Sequence, residues 1–148
     1  MTKQEKILIK INPAEAIIIY NNREKATDET QERWGFNGRN DKSDAFRHSF
    51  FNAINTKYCG MTIVKLFSNA HESEVPQNLS LEVSMDLFNN LVGINYVGGI
   101  SLLSESSISA TVSDKILEGE MKYLSPLDAV VPPNFGINFQ TNLIPTNQ

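Results

Sequence analysis

Residues 41–60 read DKSDAFRHSFFNAINTKYCG, and this stretch decides the fold class. Asp41 or Ser43 can cap a helix at its start, and Gly60 is a standard residue just past a helix end. Between them Phe46, Phe50, Ala53, Ile54 and Lys57 or Tyr58 recur three and four apart, the signature of a buried helix face. Asp44, Arg47, His48, Phe51 and Asn55 share another face of the same helix. A helix with one apolar stripe and one ordered polar stripe has two packing jobs.

Working outward, the same periodicity predicts further helices. Thr62 to Glu72 follows at once, and Ser73 to Asn78, with Pro76, is a linker. Leu79 to Leu91 is a third helix ending near Gly93, and Tyr96 to Gly99 loosens the backbone. Ser107 to Leu117 is a last helix, with Gly119 after it. On the other side, Asn12-Pro13 starts a helix, with Asn21-Asn22 as a point of breakage or bending. Arg23 to Trp34 is an exposed helix ending at Gly35, and Phe36 to Lys42 is a loop. Lys6 to Ile11 alternates, as a short strand or an extended lead-in does. The tail, with Pro126, Pro132, Pro133 and Pro145, is expected to wrap the surface as extended segments. The reading is therefore a mainly α, compact helical domain of about five helices with an extended, Pro-containing C-terminal tail. Residues 1–148 form one domain, and its motif-bearing core spans about 41–99.

Composition narrows the classes. Apolar content of 41% and charged content of 20% suit a folded chain rather than a disordered one. A net charge of −4 argues against a broad electrostatic grip on nucleic acid, and no obvious nucleic-acid-binding patch is present. A bound metal could still supply positive charge locally. Cys59 is the lone cysteine, so no internal disulfide can form, and it reads as a small buried hydrophobe. No apolar run reaches the roughly 18 residues of a transmembrane segment. The polar start, Met1 to Lys6, has no cleavable signal core. Export is then expected without such a signal or as part of a longer chain.

Three strings hold the residues suited to chemistry: Ser43 to His48, Ala70-His71-Glu72, and Met85 to Asn90. Asp44 is one turn from His48, where a carboxylate can orient an imidazole and raise its basicity. His71 and Glu72 are adjacent, so their side chains diverge by about 100° and only one can face a common point. Asp86, Asn89, Asn90 and Gly93 share a face of an otherwise apolar helix. Packed as neighbours, the helices could bring together His48, His71 or Glu72, and Asp86 with Asn89 or Asn90. That set suits a divalent metal or metal-free acid–base hydrolysis. The candidate catalytic residues, and ligands if a metal is present, are His48, His71, Glu72 and Asp86. Arg47, Asn89 and Asn90 are the candidate substrate-binding residues, with Asp44 orienting His48. Plain structural readings stand beside these: His48 as a packed histidine, Asp44 as a cap, Asn89-Asn90 as a helix-ending signal.

The combination Asp44-Ala45-Phe46-Arg47-His48, Ala70-His71-Glu72 and Met85-Asp86-Leu87-Phe88-Asn89-Asn90-Leu91-Val92-Gly93 resembles a helical domain found at the C-terminal ends of Rhs-type and other bacterial polymorphic toxins. The resemblance covers the middle third of the chain. It departs at Phe51, near where that family more often has Trp. It implies an effector domain carried by a secretion system or a longer parent chain, delivered to a target cell and neutralised by a cognate immunity protein. Before delivery such a protein would be cytoplasmic in its producer.

The leading expectation is an antibacterial effector, a hydrolase acting on a phosphodiester or a cell-envelope polymer, with Arg47 suited to an anionic group. The alternative is a non-enzymatic toxin or binding module, whose polar stripes are a structural hydrogen-bond network. A third option is an adaptor or immunity-type protein using the acidic face Glu24, Asp28, Glu29 and Glu32.

Overall fold

The computed structural model describes residues 1–97 and 103–148. Among them are six α-helices and one two-stranded sheet: α1 Lys3–Ile11, α2 Pro13–Trp34, α3 Lys42–Cys59, α4 Met61–Glu72, α5 Ser80–Val97, α6 Glu105–Leu117, β1 Lys122–Ser125 and β2 Asn142–Pro145. A 3₁₀ turn, Gln77–Leu79, leads into α5. The fold is mainly α, and none of the described helices is long and apolar enough to cross a membrane. The loosening expected over Tyr96 to Gly99 does not occur at Tyr96 and Val97, which are helical, and its remainder, Gly98 and Gly99, lies outside the described residues.

Helix α3 is the axis of the molecule, with α2, α4, α5, α6 and β1 all packed on it. Asp41 caps it, its side chain accepting from the Asp44 N–H at 3.0 Å, and Gly60 ends it at a φ of 80°. Most of the predicted apolar stripe is core: Phe46, Phe50, Ala53 and Ile54 are buried against Ala26 of α2 and Ile108, Val112 and Ile116 of α6, whereas Lys57 is half-buried and Tyr58 exposed. Phe46 and Phe50 stack with ring centroids 5.6 Å apart, and Trp34 closes on Phe46 at 6.2 Å. Such buried aromatic and aliphatic side chains each contribute roughly 1.5–3 kcal/mol by leaving water.

Four local expectations change. The alternating stretch before Asn12 is helical, because Thr2 and Glu5 form a reciprocal capping box at its start. Helix α2 runs unbroken through Asn21-Asn22, since Asn22 is buried and donates to Asn55 Oδ1 of α3 at 2.8 Å. Helix α5 does not stop near Gly93. It continues to Val97, with Gly93 buried against the α3 main chain. The tail contains an antiparallel pair, Tyr123 opposite Ile144, rather than only unpaired extended segments. It is tied down by bonds from Leu124 N–H to Asn40 O and from Thr146 Oγ1 to Ile116 O.

Candidate functional site

The polar stripe of α3 meets the polar face of α5. His48 projects from the second turn of α3, and its Nε2 lies 3.5 Å from Asp44 Oδ1 and 3.4 Å from Asp86 Oδ1. The donor atoms of Asp44, His48 and Asp86 all fall within 4.8 Å of one another. His48 Nδ1 is bonded to Asn90 Oδ1 at 3.0 Å, one turn beyond Asp86. Thus α3 supplies Asp44 and His48 at i and i+4, and α5 supplies Asp86 and Asn90 at the same spacing. The carboxylates are almost fully buried, while the His48 side chain keeps 22% of its surface.

Each carboxylate has a distinct environment. Asp44 Oδ2 accepts the Asn40 main-chain N–H at 2.6 Å, and Oδ1 accepts from Arg47 Nη2. Asp86 Oδ1 is buried and has no hydrogen-bond partner among the described residues. Burial pushes the Asp86 carboxyl up to about 7, against the pull of the His48 charge, and Asp44 and Glu72 add repulsion in the same direction. Burial opposes charging of His48, but the Asp86 and Asp44 carboxylates and the Asn90 bond outweigh it, and its pKa rises.

Two further carboxylates are close enough to act on Asp86. Glu82, one turn before it on α5, holds Arg39 in a fork with bonds of 2.8 and 2.6 Å. Arg39 in turn sits over the Phe135 ring, its Cζ 3.4 Å from the centroid. Glu72 is buried with Oε1 unpartnered among the described residues, and burial raises its pKa. Among the described residues, the buried carboxyls Asp44, Glu72, Glu82 and Asp86 are accompanied by two guanidiniums, Arg39 on Glu82 and Arg47 on Asp44. A dication beside a neutral imidazole would close that charge difference, as would protons on two of the acids.

A charge-assisted N–H···O bond runs about 2.7–2.9 Å, shorter than either Nε2–Oδ1 distance. Three ligand atoms about 2.1 Å from one tetrahedral ion stand roughly 3.4 Å apart, close to the spacing of Nε2 from each Oδ1, while the two carboxylate ligand atoms lie within 4.8 Å of each other. The orphaned Asp86 oxygen and the N/O donor set also fit a divalent metal. Asp44, His48 and Asp86 could hold such an ion.

The expected site residues separate into two groups. His48, Asp86, Asn90 and Arg47 converge, and Asp44 is a member of the cluster rather than only a brace. His71 does not join them: it is exposed, and its Nδ1 meets Glu5 Oε1 of α1 at 2.8 Å. Adjacent helical residues diverge, and Glu72 takes the inward direction. Asn89 is also not available to a substrate. It is fully buried, and its amide clasps the Lys122 main chain, donating to O at 2.8 Å and accepting from N–H at 3.0 Å. Arg47 is largely committed, to Asp44 and to Gly38 O at 3.0 Å. Sequence reasoning missed Asn52 and Arg39. Asn52, four residues after His48, carried a usable signal as a second amide beside the polar stripe; Arg39 sat in a loop and carried none. Two surface cavities, of about 400 and 360 Å³, lie elsewhere, the first lined by Lys25, Asp28, Glu29, Glu32, Phe50 and Glu105, the second beside Trp34.

Residues 6–120 match the family described as a domain of unknown function (DUF6973), and the chain belongs to that family. The match spans all the site residues and stops before the β1–β2 pair. No curated protein and no solved structure matches the chain.

Proposed function

We propose that this domain is a hydrolytic antibacterial effector whose centre is a divalent metal held by Asp44, His48 and Asp86. One observation carries the reading: His48 Nε2 stands 3.4 and 3.5 Å from two buried carboxylate oxygens, one of them without a hydrogen-bond partner among the described residues. Leaving such an oxygen unpaired costs about 1–3 kcal/mol or more for a charged group, so the arrangement suits a ligand that is absent from the protein alone. When bound, the ion would polarise a substrate oxygen and lower the pKa of water. Asn90 would hold the imidazole in place, and Arg47 would hold Asp44. Arg39 is partly exposed beside the cluster and suits an anionic group, so a phosphodiester fits, as does an anionic envelope polymer. Delivery by a secretion system or a longer parent chain, and neutralisation by an immunity protein, belong to the same proposal through the toxin-domain resemblance.

A second reading has its own support. The carboxylates are nearly closed to solvent, the described cavities lie elsewhere, and Asn52, Asn89 and Asn90 all bond within the protein. The cluster would then be a structural network of a binding module. Calorimetric titration of the purified protein with Zn²⁺ and Mn²⁺, alongside His48→Ala, separates the two. The metal-hydrolase reading expects one site, lost in the variant together with toxicity. A folded His48→Ala protein that stays fully toxic would defeat it.

A further inference from the structure

The hydrogen bonds behind His48 determine which of its nitrogens carries the proton. Asn52 lies one turn after His48 on α3, and its Nδ2 donates to the His48 main-chain carbonyl at 2.9 Å. A carbonyl oxygen can only accept, so the atom facing it must be the amide nitrogen. That same Nδ2 lies 2.7 Å from the side chain of Asn90. Its second hydrogen therefore needs an acceptor there, which turns Asn90 Oδ1 inward. Asn90 Oδ1 is in turn 3.0 Å from His48 Nδ1, and two hydrogens converge on it. Nδ1 must then be the donor. The neutral ring keeps its proton on Nδ1 and its lone pair on Nε2, the atom between Asp44 and Asp86.

We infer that Asn52, acting through Asn90, is the positioning residue that presents the bare Nε2 of His48 to the Asp44–Asp86 cluster. Both amides are buried, at 2% and 4% exposure, so no bulk water competes to turn either one. Without the Asn52 donor, Asn90 can rotate its amide and offer Nδ2 to His48 Nδ1. The ring would then carry its proton on Nε2, with no lone pair facing the carboxylates. Metal-ligating histidines are commonly fixed this way from behind, and losing the brace costs about 10–100-fold in affinity. The tautomer follows from the hydrogen bonds alone. Its consequence for affinity rests on the proposed metal centre.

The chain has two histidines, so the test is direct. The full chain, ¹⁵N-labelled at histidine, is recorded by long-range ¹⁵N–¹H NMR at a pH where the rings are neutral, with and without Zn²⁺. His71→Gln identifies the His48 signals. The wild-type protein is expected to hold the proton on Nδ1 in both states, with Zn²⁺ shifting Nε2. Asn52→Leu is expected to move the proton to Nε2 and weaken Zn²⁺ binding 10–100-fold. Adding Asn90→Asp to Asn52→Leu places an acceptor-only group at Nδ1 and should restore the original tautomer, a rescue that a merely structural role does not produce. A wild-type ring protonated on Nε2, or an Asn52→Leu protein unchanged in both readouts, overturns the inference. If Asn52→Leu does not fold, the wild-type spectrum decides. If Zn²⁺ does not bind at all, the metal reading falls, and the metal-free spectrum still decides the tautomer.

Discussion

Gly93 lies so close to Ser49 that a β-carbon at position 93 would stand 2.2 Å from the Ser49 carbonyl oxygen. The neighbour is main chain, so it cannot swing aside. Helices α3 and α5 therefore touch backbone to backbone one turn from the site, and Ser49 Oγ adds a bond to Asn89 O at 2.9 Å. Gly93→Ala is expected to force the helices apart, lowering stability by about 1–3 kcal/mol. Because α3 carries Asp44 and His48 while α5 carries Asp86, Zn²⁺ affinity should fall with it. Urea denaturation and Zn²⁺ titration of one preparation check both.

Asp86→Asn should have opposite effects on the free protein and on the metal complex. In the free protein it replaces a buried carboxylate, one of whose oxygens has no partner, with a neutral amide. At pH 8 the metal-free variant is expected to be more stable than wild type, by on the order of 1–3 kcal/mol. Its Zn²⁺ affinity is expected to fall at least tenfold. Thermal denaturation in chelator, then in excess Zn²⁺, reads the reversal.

His71→Ala should leave the candidate site alone. The ring faces Glu5, two-thirds exposed, and its loss removes a contact between α4 and α1. On the proposed function, Zn²⁺ affinity and toxicity are expected to stay at wild-type levels. Loss of either, in a protein with wild-type stability, would return His71 to the site.

Glu5 carries a pH dependence of its own. Burial opposes its ionisation, but bonds from His71 and the Thr2 N–H outweigh that and hold its carboxyl below the ordinary value of 4.5. A depressed acid stabilises the fold above the ordinary value, and that stability is lost as pH falls through the lowered one. Glu5→Gln should thus be less stable than wild type at pH 7, by up to about 1 kcal/mol. The difference should shrink below pH 4.5. Denaturant unfolding at pH 7, 5 and 3 measures it.

Asn89→Ala should detach the tail while sparing the cluster. The substitution removes two bonds to Lys122 and leaves that half-buried main chain without its Asn89 partners. The expected cost is about 2–4 kcal/mol, with faster proteolysis between β1 and β2. Zn²⁺ affinity per folded molecule should be retained.

Much of the fold was legible before any coordinates. Three- and four-residue spacing marked α3, α4 and α6, and the glycines at 35 and 60 end α2 and α3 at positive φ. What misled was polarity without context. Asn22, Asn89 and Asn90 look like helix breakers in a one-dimensional reading, yet each bonds a neighbouring element from inside an unbroken helix. Gly93 looked like a terminus because a close approach between two helices leaves the same residue as a helix end.

The order of residues along the chain determines the i, i+4 pairs: Asp44 with His48, and Asp86 with Asn90. Helical geometry alone puts each pair on one face. It also determines that His71 and Glu72 diverge, without saying which turns inward. Only the tertiary structure decides that. Docking of α1 against α4 places Glu5 beside His71, leaving Glu72 to the interior. Only the tertiary structure sets the α3–α5 register that puts Asp86 3.4 Å from His48, because that register depends on Gly93 meeting Ser49 across 44 residues of chain. Periodicity records which way a side chain points from its own helix. The distance to a partner on another helix depends on how closely the two backbones can approach.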